Sequence, residues 1–173
     1  DKDATLRKKL SKLLEANHEF ASEDAKQVAQ WNPYDQNASS PFFDAEWMFG
    51  VKEGFDIVIG NPPYVQLQKN GGKLAKQFEN QNFKTFARTG DIYSLFYEKG
   101  IELLKPKGKL CYITSNKWMR AGYGENTRKF FAENTNPILL IDFAGKKIFE
   151  SATVDTNILL LSKEKNQLNT RAC

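Results

Sequence analysis

With 173 residues the chain suits one domain or part of one; its 40% hydrophobic share is ordinary for a globular protein and its 13% aromatic share is rich. The net charge of +4 permits nucleic-acid binding without demanding it, because a local basic patch matters more than the total. No stretch approaches the ~18 apolar residues of a membrane-spanning helix, and the polar opening Asp1-Lys2-Asp3-Ala4-Thr5 does not read as a secretory signal.

Residues 4–30 predict helix. Leu6, Leu10, Leu13 and Leu14 fall on one face, and Lys8, Lys9 and Lys12 read as its solvated side. A second helical start is expected near Ser22, a capping residue followed by the acidic Glu23 and Asp24. The lone His18 lies in this polar stretch and reads as a surface residue. No methionine precedes Met48, so the chain is expected to be a piece of a longer protein. Residues 31–54 predict a loop rich in aromatics, among them Trp31, Phe43, Trp47 and Phe49, interrupted by turn material at 35–41.

The chain is organised around residues 55–65. Phe55, Ile57, Val58 and Ile59 are apolar and β-prone, which predicts a central parallel strand buried on both faces and ended by Gly60. Asn61-Pro62-Pro63-Tyr64 follows at once. Neither proline can donate to a ladder, so pairing stops in a stiff turn at the carboxyl end of the strand, where open α/β sheets place ligands. Asn61 offers a neutral amide oxygen, the carbonyl of Pro62 a second acceptor, and Tyr64 a flat face for stacking. Two neutral acceptors beside an aromatic plate suit an exocyclic amine on a planar heterocycle. Bonds to both amine protons draw the nitrogen lone pair out of conjugation, and the amine becomes a better nucleophile as the reaction proceeds.

Residues 66–88 are polar and carry Lys69, Lys73, Lys76, Lys84 and Arg88, with a flexible turn at Asn70-Gly71-Gly72; they read equally as a lid or DNA-backbone contact and as a solvated excursion. Asp91 fits the cap of a helix running to about Lys105, with Ile92, Leu95, Phe96, Ile101 and Leu104 as its buried stripe. Pro106-Lys107-Gly108 is expected to turn the chain into a strand at 110–114. A helix over 125–133 with Arg128 and Lys129 exposed, a strand at 138–143 and a strand at 153–161 follow, and the polar tail from Lys163 is expected to fray. Cys111 and Cys173 show neither a disulfide framework nor a metal-ligand spacing, and fit a reducing cytosol.

The stretch 54–65 resembles the motif of S-adenosylmethionine-dependent amino-methyltransferases, and in its fuller form is similar to bacterial DNA adenine-N6 methyltransferases of Type II, Type IIG-like restriction-modification systems. The resemblance implies an α/β, Rossmann-like methyltransferase fold, of which this chain would hold the later half of the sheet and flanking helices, the first cofactor-binding strands being missing. It implies a helical lead-in at 1–30, the C-terminal part of a catalytic domain at 31–162, and a tail at 163–173. It implies Asn61, Pro62, Pro63 and Tyr64 as the catalytic turn, and Tyr64 and Phe149 as the rings that sandwich a flipped base. Phe96, Asp44 and Phe43 become candidates for S-adenosyl-L-methionine, and Lys69, Lys73, Lys117, Lys146 and Lys147 for DNA. Without the resemblance, Phe149 reads as a core anchor and the aromatics of 31–54 as packing.

The implied partner is double-stranded DNA, in the cytoplasm of a bacterium, with no metal. Upstream cofactor-binding and downstream target-recognition segments are expected to be absent, and the isolated piece inactive. The alternatives are a protein-glutamine or RNA N-methyltransferase using the same four residues, or a catalytically silent DNA-binding fragment.

Overall fold

The computed structural model describes residues 2–16, 22–32, 35, 37–38, 40, 43–146, 148–149 and 154–173, the side chains of 22–24 and 47 apart. They fall in two compact units, Asp1–Lys52 and Glu53–Cys173.

The first unit pairs α1 (Lys2–Ala16) with α2 (Ser22–Gln30), so the expected helical stretch is two helices, with 17–21 outside the described residues. Of the leucine stripe only Leu14 is buried, against Ala25 and Val28. Leu6, Leu10 and Leu13 are 63%, 40% and 62% exposed, so most of the stripe stays uncovered by α2. The Arg7 guanidinium donates to the carbonyls of Ala29, Gln30 and Trp31 at 3.0–3.1 Å, and so caps the end of α2. A short α3 (Ala45–Phe49) stands in the predicted loop.

The second unit is a five-stranded mixed sheet in the order β1-β2-β4-β3-β5. Its elements are β1 (Phe55–Gly60), α4 (Lys69–Phe78), α5 (Ile92–Leu103), β2 (Leu104–Ser115), α6 (Glu125–Asn134), β3 (Asn136–Asp142), β4 (Thr156–Ser162) and β5 (Arg171–Ala172). β1 and β2 are parallel and joined through α5, while β4 runs antiparallel to both β2 and β3. α5 and α6 cover one face, burying Tyr97, Ile101, Phe130 and Phe131 against Leu110, Tyr112, Leu159 and Leu161. The helix lies very close to the sheet at Gly100, where a Cβ would stand 2.5 Å from Leu110 Cδ1.

Several expectations change. β1 is the edge strand, not a central one buried on both faces: Val58 packs into the core, whereas Ile57 and Ile59 are 65% and 78% exposed. Phe96 points out of the buried stripe at 40% exposure, and Tyr93, Tyr97 and Glu98 take the inner positions instead. Residues 106–108 lie within β2 as a bulge, not in a turn before it. β1 passes from Phe55 to Ile57 while its partner passes from Leu104 to Lys109, and Lys107 takes φ +66° to absorb the extra residues. Arg128 is half-buried, its Nη1 donating to the carbonyls of Trp118 at 2.7 Å and Ala121 at 3.1 Å. The tail is not frayed at its end: β5 joins β3 in parallel, and the Cys173 N–H donates to the Leu140 carbonyl at 3.0 Å, because β3 has an open edge that an extended segment satisfies.

Candidate active site

The turn after β1 holds Asn61, Pro62, Pro63 and Tyr64. Asn61 and Pro63 are exposed, Pro62 is buried and Tyr64 is half-buried. The Asn61 amide makes no hydrogen bond among the described residues, so its oxygen is open to a ligand. Tyr64 is held from two sides: its hydroxyl donates to the Ile113 carbonyl on β2 at 3.4 Å, and its ring meets Tyr93 edge-on at 6.2 Å and 87°. Burial, and then the charge of Asp91, raise its pKa, so the phenol is a neutral plate.

The exit from the turn is fastened to the start of α5. Gln66 and Asp91 form an antiparallel bridge, with Ile92 N–H donating to the Val65 carbonyl and Leu67 N–H to the Gly90 carbonyl, both at 2.9 Å. The loop 66–90 is therefore tied down at its base. It is tied again by Glu98 on α5, a 4%-exposed carboxylate that accepts from Lys84 N–H, Thr85 N–H and the Thr85 hydroxyl at 2.8–3.0 Å. Inside the loop α4 is interrupted by three left-handed residues, Asn70, Gly71 and Gly72, flanked by the exposed Lys69 and Lys73.

The carboxyl end of β2 forms the next part of the rim. Asn157 Oδ1 accepts from Trp118 Nε1 at 3.2 Å and from the Thr114 hydroxyl at 3.3 Å, and Tyr97 and Thr114 share a hydroxyl pair at 3.0 Å. Asn116 Nδ2 donates to Asp142 at 2.9 Å, which holds the Asp142 carboxyl below the ordinary range. These bonds set the turn Asn116–Met119 that carries Lys117. Burial raises the pKa of the Asp91 carboxyl, and the charges of Lys117 and Lys69 oppose that shift.

Of the other predicted residues, Lys146 is exposed and Phe149 half-buried on the connection from β3 to β4, while Lys147 lies outside the described residues. Phe43 and Asp44 belong to the first unit, where Phe43 meets Phe49 at 6.1 Å. Among the described residues no group of His, Cys, Asp or Glu is placed to hold a metal. Sequence reading took Asp91 for a plain cap and missed its bridge to the turn. Nor did it see the Thr114–Asn157–Trp118 cluster, for which polar residues inside two apolar strands were the available signal.

The family described as Eco57I restriction-modification methylase matches residues 1–149. The chain is 32% identical over 114 residues to the Type II restriction enzyme and methyltransferase RM.Eco57I of Escherichia coli, covering 65% of this chain and 11% of that protein. It is 39% identical over 106 residues to the Type II methyltransferase M.BanIII of Aneurinibacillus aneurinilyticus, covering 59% and 17%. The chain thus spans less than a fifth of either relative.

Among solved structures, the type I restriction-modification system methyltransferase subunit from Streptococcus thermophilus superposes with a TM-score of 0.53 at 18% identity, covering 82% of this chain and 30% of that one. A class I S-adenosylmethionine-dependent methyltransferase from Listeria monocytogenes gives 0.52 at 21%, covering 70% and 37%. These likenesses are of fold, and the fold is the Rossmann-like one of class I methyltransferases. The match over residues 1–149 places this chain in the Eco57I restriction-modification methylase family.

Proposed function

We propose that this chain carries the base-binding part of a restriction-modification DNA methyltransferase that moves a methyl group from S-adenosyl-L-methionine to the N6 amine of an adenine. The observation that carries the reading is the open Asn61 amide beside a half-buried Tyr64 at the tip of β1. The target adenine leaves the duplex, because no side chain of the turn reaches it in the stack. Tyr64 stacks on one face of the base, an interaction worth ~1–3 kcal/mol. Asn61 Oδ1 and the Pro62 carbonyl accept the two amine protons and strengthen as charge develops on the nitrogen. Phe149 closes the other face.

The cofactor supplies an electrophilic methyl group when bound. From this unit Phe96 fits it: an apolar ring 40% exposed on α5 presents a face suited to a flat adenine. Phe43 and Asp44 are further candidates. The remaining grip belongs to upstream sequence, and the open edge of β1, with Ile57 and Ile59 exposed, supports a further strand pairing there. Lys69, Lys73, Lys117 and Lys146 hold phosphates of double-stranded DNA, downstream sequence selects the site, and the isolated chain is inactive in the cytoplasm of its host.

The test is Asn61→Ala in the full-length protein. Transfer of labelled methyl to adenine falls by at least ~100-fold, since a donor–acceptor contact made in the transition state is lost, while a gel-shift measurement of DNA affinity changes little. Undiminished methylation by that variant sinks the reading.

A further inference from the structure

A phenol that stacks on a base must turn its face to it, and pinning the long axis of the ring does not decide where that face points. The Tyr64 backbone fixes one end of the axis, and the hydroxyl, donating to the Ile113 carbonyl at 3.4 Å, fixes the other. Rotation about the axis is the freedom that remains, and in tyrosine this torsion has a broad minimum. Among the described residues the ring partner of Tyr64 is Tyr93, which stands at 87° to it with centroids 6.2 Å apart. Ring quadrupoles and packing hold a pair at that angle and distance, so a turn of either ring is opposed.

Tyr93 is itself fully buried, in the core against which Tyr64 packs. Its hydroxyl shares a hydrogen bond of 3.0 Å with that of Tyr123, from the short turn Gly122–Gly124 ahead of α6. Tyr123 is half-buried and rests on two supports. Its ring lies over the residues ahead of α5, for a Cβ added at Gly90 would stand 3.6 Å from Tyr123 Cδ2. Its backbone is pressed against the end of β2 at Gly124, where a Cβ would collide with the Trp118 carbonyl, and Arg128 ties the same segment by donating to the carbonyls of Trp118 and Ala121. Burial pushes up the pKa of all three phenols, so each acts as a neutral ring.

We propose that Tyr93 is a positioning residue for methyl transfer and Tyr123 the anchor that holds it: the hydroxyl bond fixes Tyr93, and the Tyr93 ring sets the rotation of Tyr64 about its long axis, turning its face to the target adenine. This rests on the methyltransferase reading above. Tyr93 and Tyr123 act through Tyr64 and take no part in bond making.

The experiment uses the full-length protein with Tyr93→Phe, Tyr123→Phe, the two combined, and Tyr93→Leu. Single-turnover methyl transfer is followed with tritium-labelled S-adenosylmethionine at saturating DNA, with DNA affinity measured in parallel. A second DNA carries a fluorescent adenine analogue at the target position, which brightens on leaving the stack and is quenched by a ring stacked on it. A misaligned ring costs rate: Tyr93→Leu is ~30-fold slower and each phenylalanine variant ~5-fold slower, with DNA affinity unchanged and the bound analogue brighter than in wild type. The combined variant is no slower than the slower single one, because both remove the same bond.

Tyr93→Phe at the wild-type rate overturns the positioning role, as does a combined variant slowed by the product of the single effects. Slowed variants whose analogue is quenched as in wild type overturn it too, since the ring then still meets the base. The phenylalanine variants keep every ring and decide the matter even where Tyr93→Leu fails to fold. A wild-type protein that puts no label on adenine instead sinks the methyltransferase reading itself, a failure separate from equal rates in wild type and variants.

Discussion

The two faces of the sheet are built from the same kinds of residue and end in opposite states. On one, Val58, Leu110, Tyr112, Leu159, Leu161 and Leu140 lie under α5 and α6. On the other, the alternate residues Ile57, Ile59, Cys111, Ile113, Ile158 and Leu160 are equally apolar, but Ile57 and Ile59 are mostly exposed and the rest only half-buried. The pattern of a strand records the surroundings it is suited to, whereas its exposure records what one unit supplies. Helices on both sides are the usual setting for strands of this composition. The covered face alone is enough to fix the end of β2, to which the Tyr64 hydroxyl is bonded.

That contrast can be broken most directly at Phe131. It is 4% exposed, with ring neighbours Tyr97 at 4.9 Å and Trp118 at 5.1 Å. Phe131→Ala is expected to cost ~3–5 kcal/mol in urea unfolding, since the cavity would sit between helix and sheet. A loss under ~1 kcal/mol means that this face is not the core. Glu98→Ala comes next, at ~2–3 kcal/mol, because it strands the N–H groups of Lys84 and Thr85. Hydrogen exchange at 84–86 should rise with it, and exchange confined to wild-type rates shows that the loop is held some other way. The smallest effect is on the open face: Ile59→Thr stays within ~0.5 kcal/mol in this chain. In the full-length protein the same change sharpens the comparison, for a cost of ~1.5 kcal/mol or more there reports that added sequence covers the face.

The site was legible where chemistry is local. Asn61-Pro62-Pro63-Tyr64 stops a ladder and presents acceptors whatever surrounds it, and the structure puts these four residues at the tip of β1. Phe96 was misread because helical spacing cannot say which of two neighbouring rings turns inward, and Tyr97, with Thr114 as partner for its hydroxyl, took the place. Asp91 was half legible: its position before a helix was plain, but its bridge to Gln66 joins residues 25 positions apart.

Composition and residue order by themselves determined that a β-prone run ends in a proline-stiffened turn with two neutral acceptors and a ring, and that helices and strands alternate after it. Tertiary structure decided that β1 lies at an edge, that residues 106–108 bulge within a strand, that β5 completes the sheet and that Asp91 is tied to the turn. The reason is physical: a turn follows from dihedral limits and missing donors within a few residues, while pairing and burial depend on which distant segments meet.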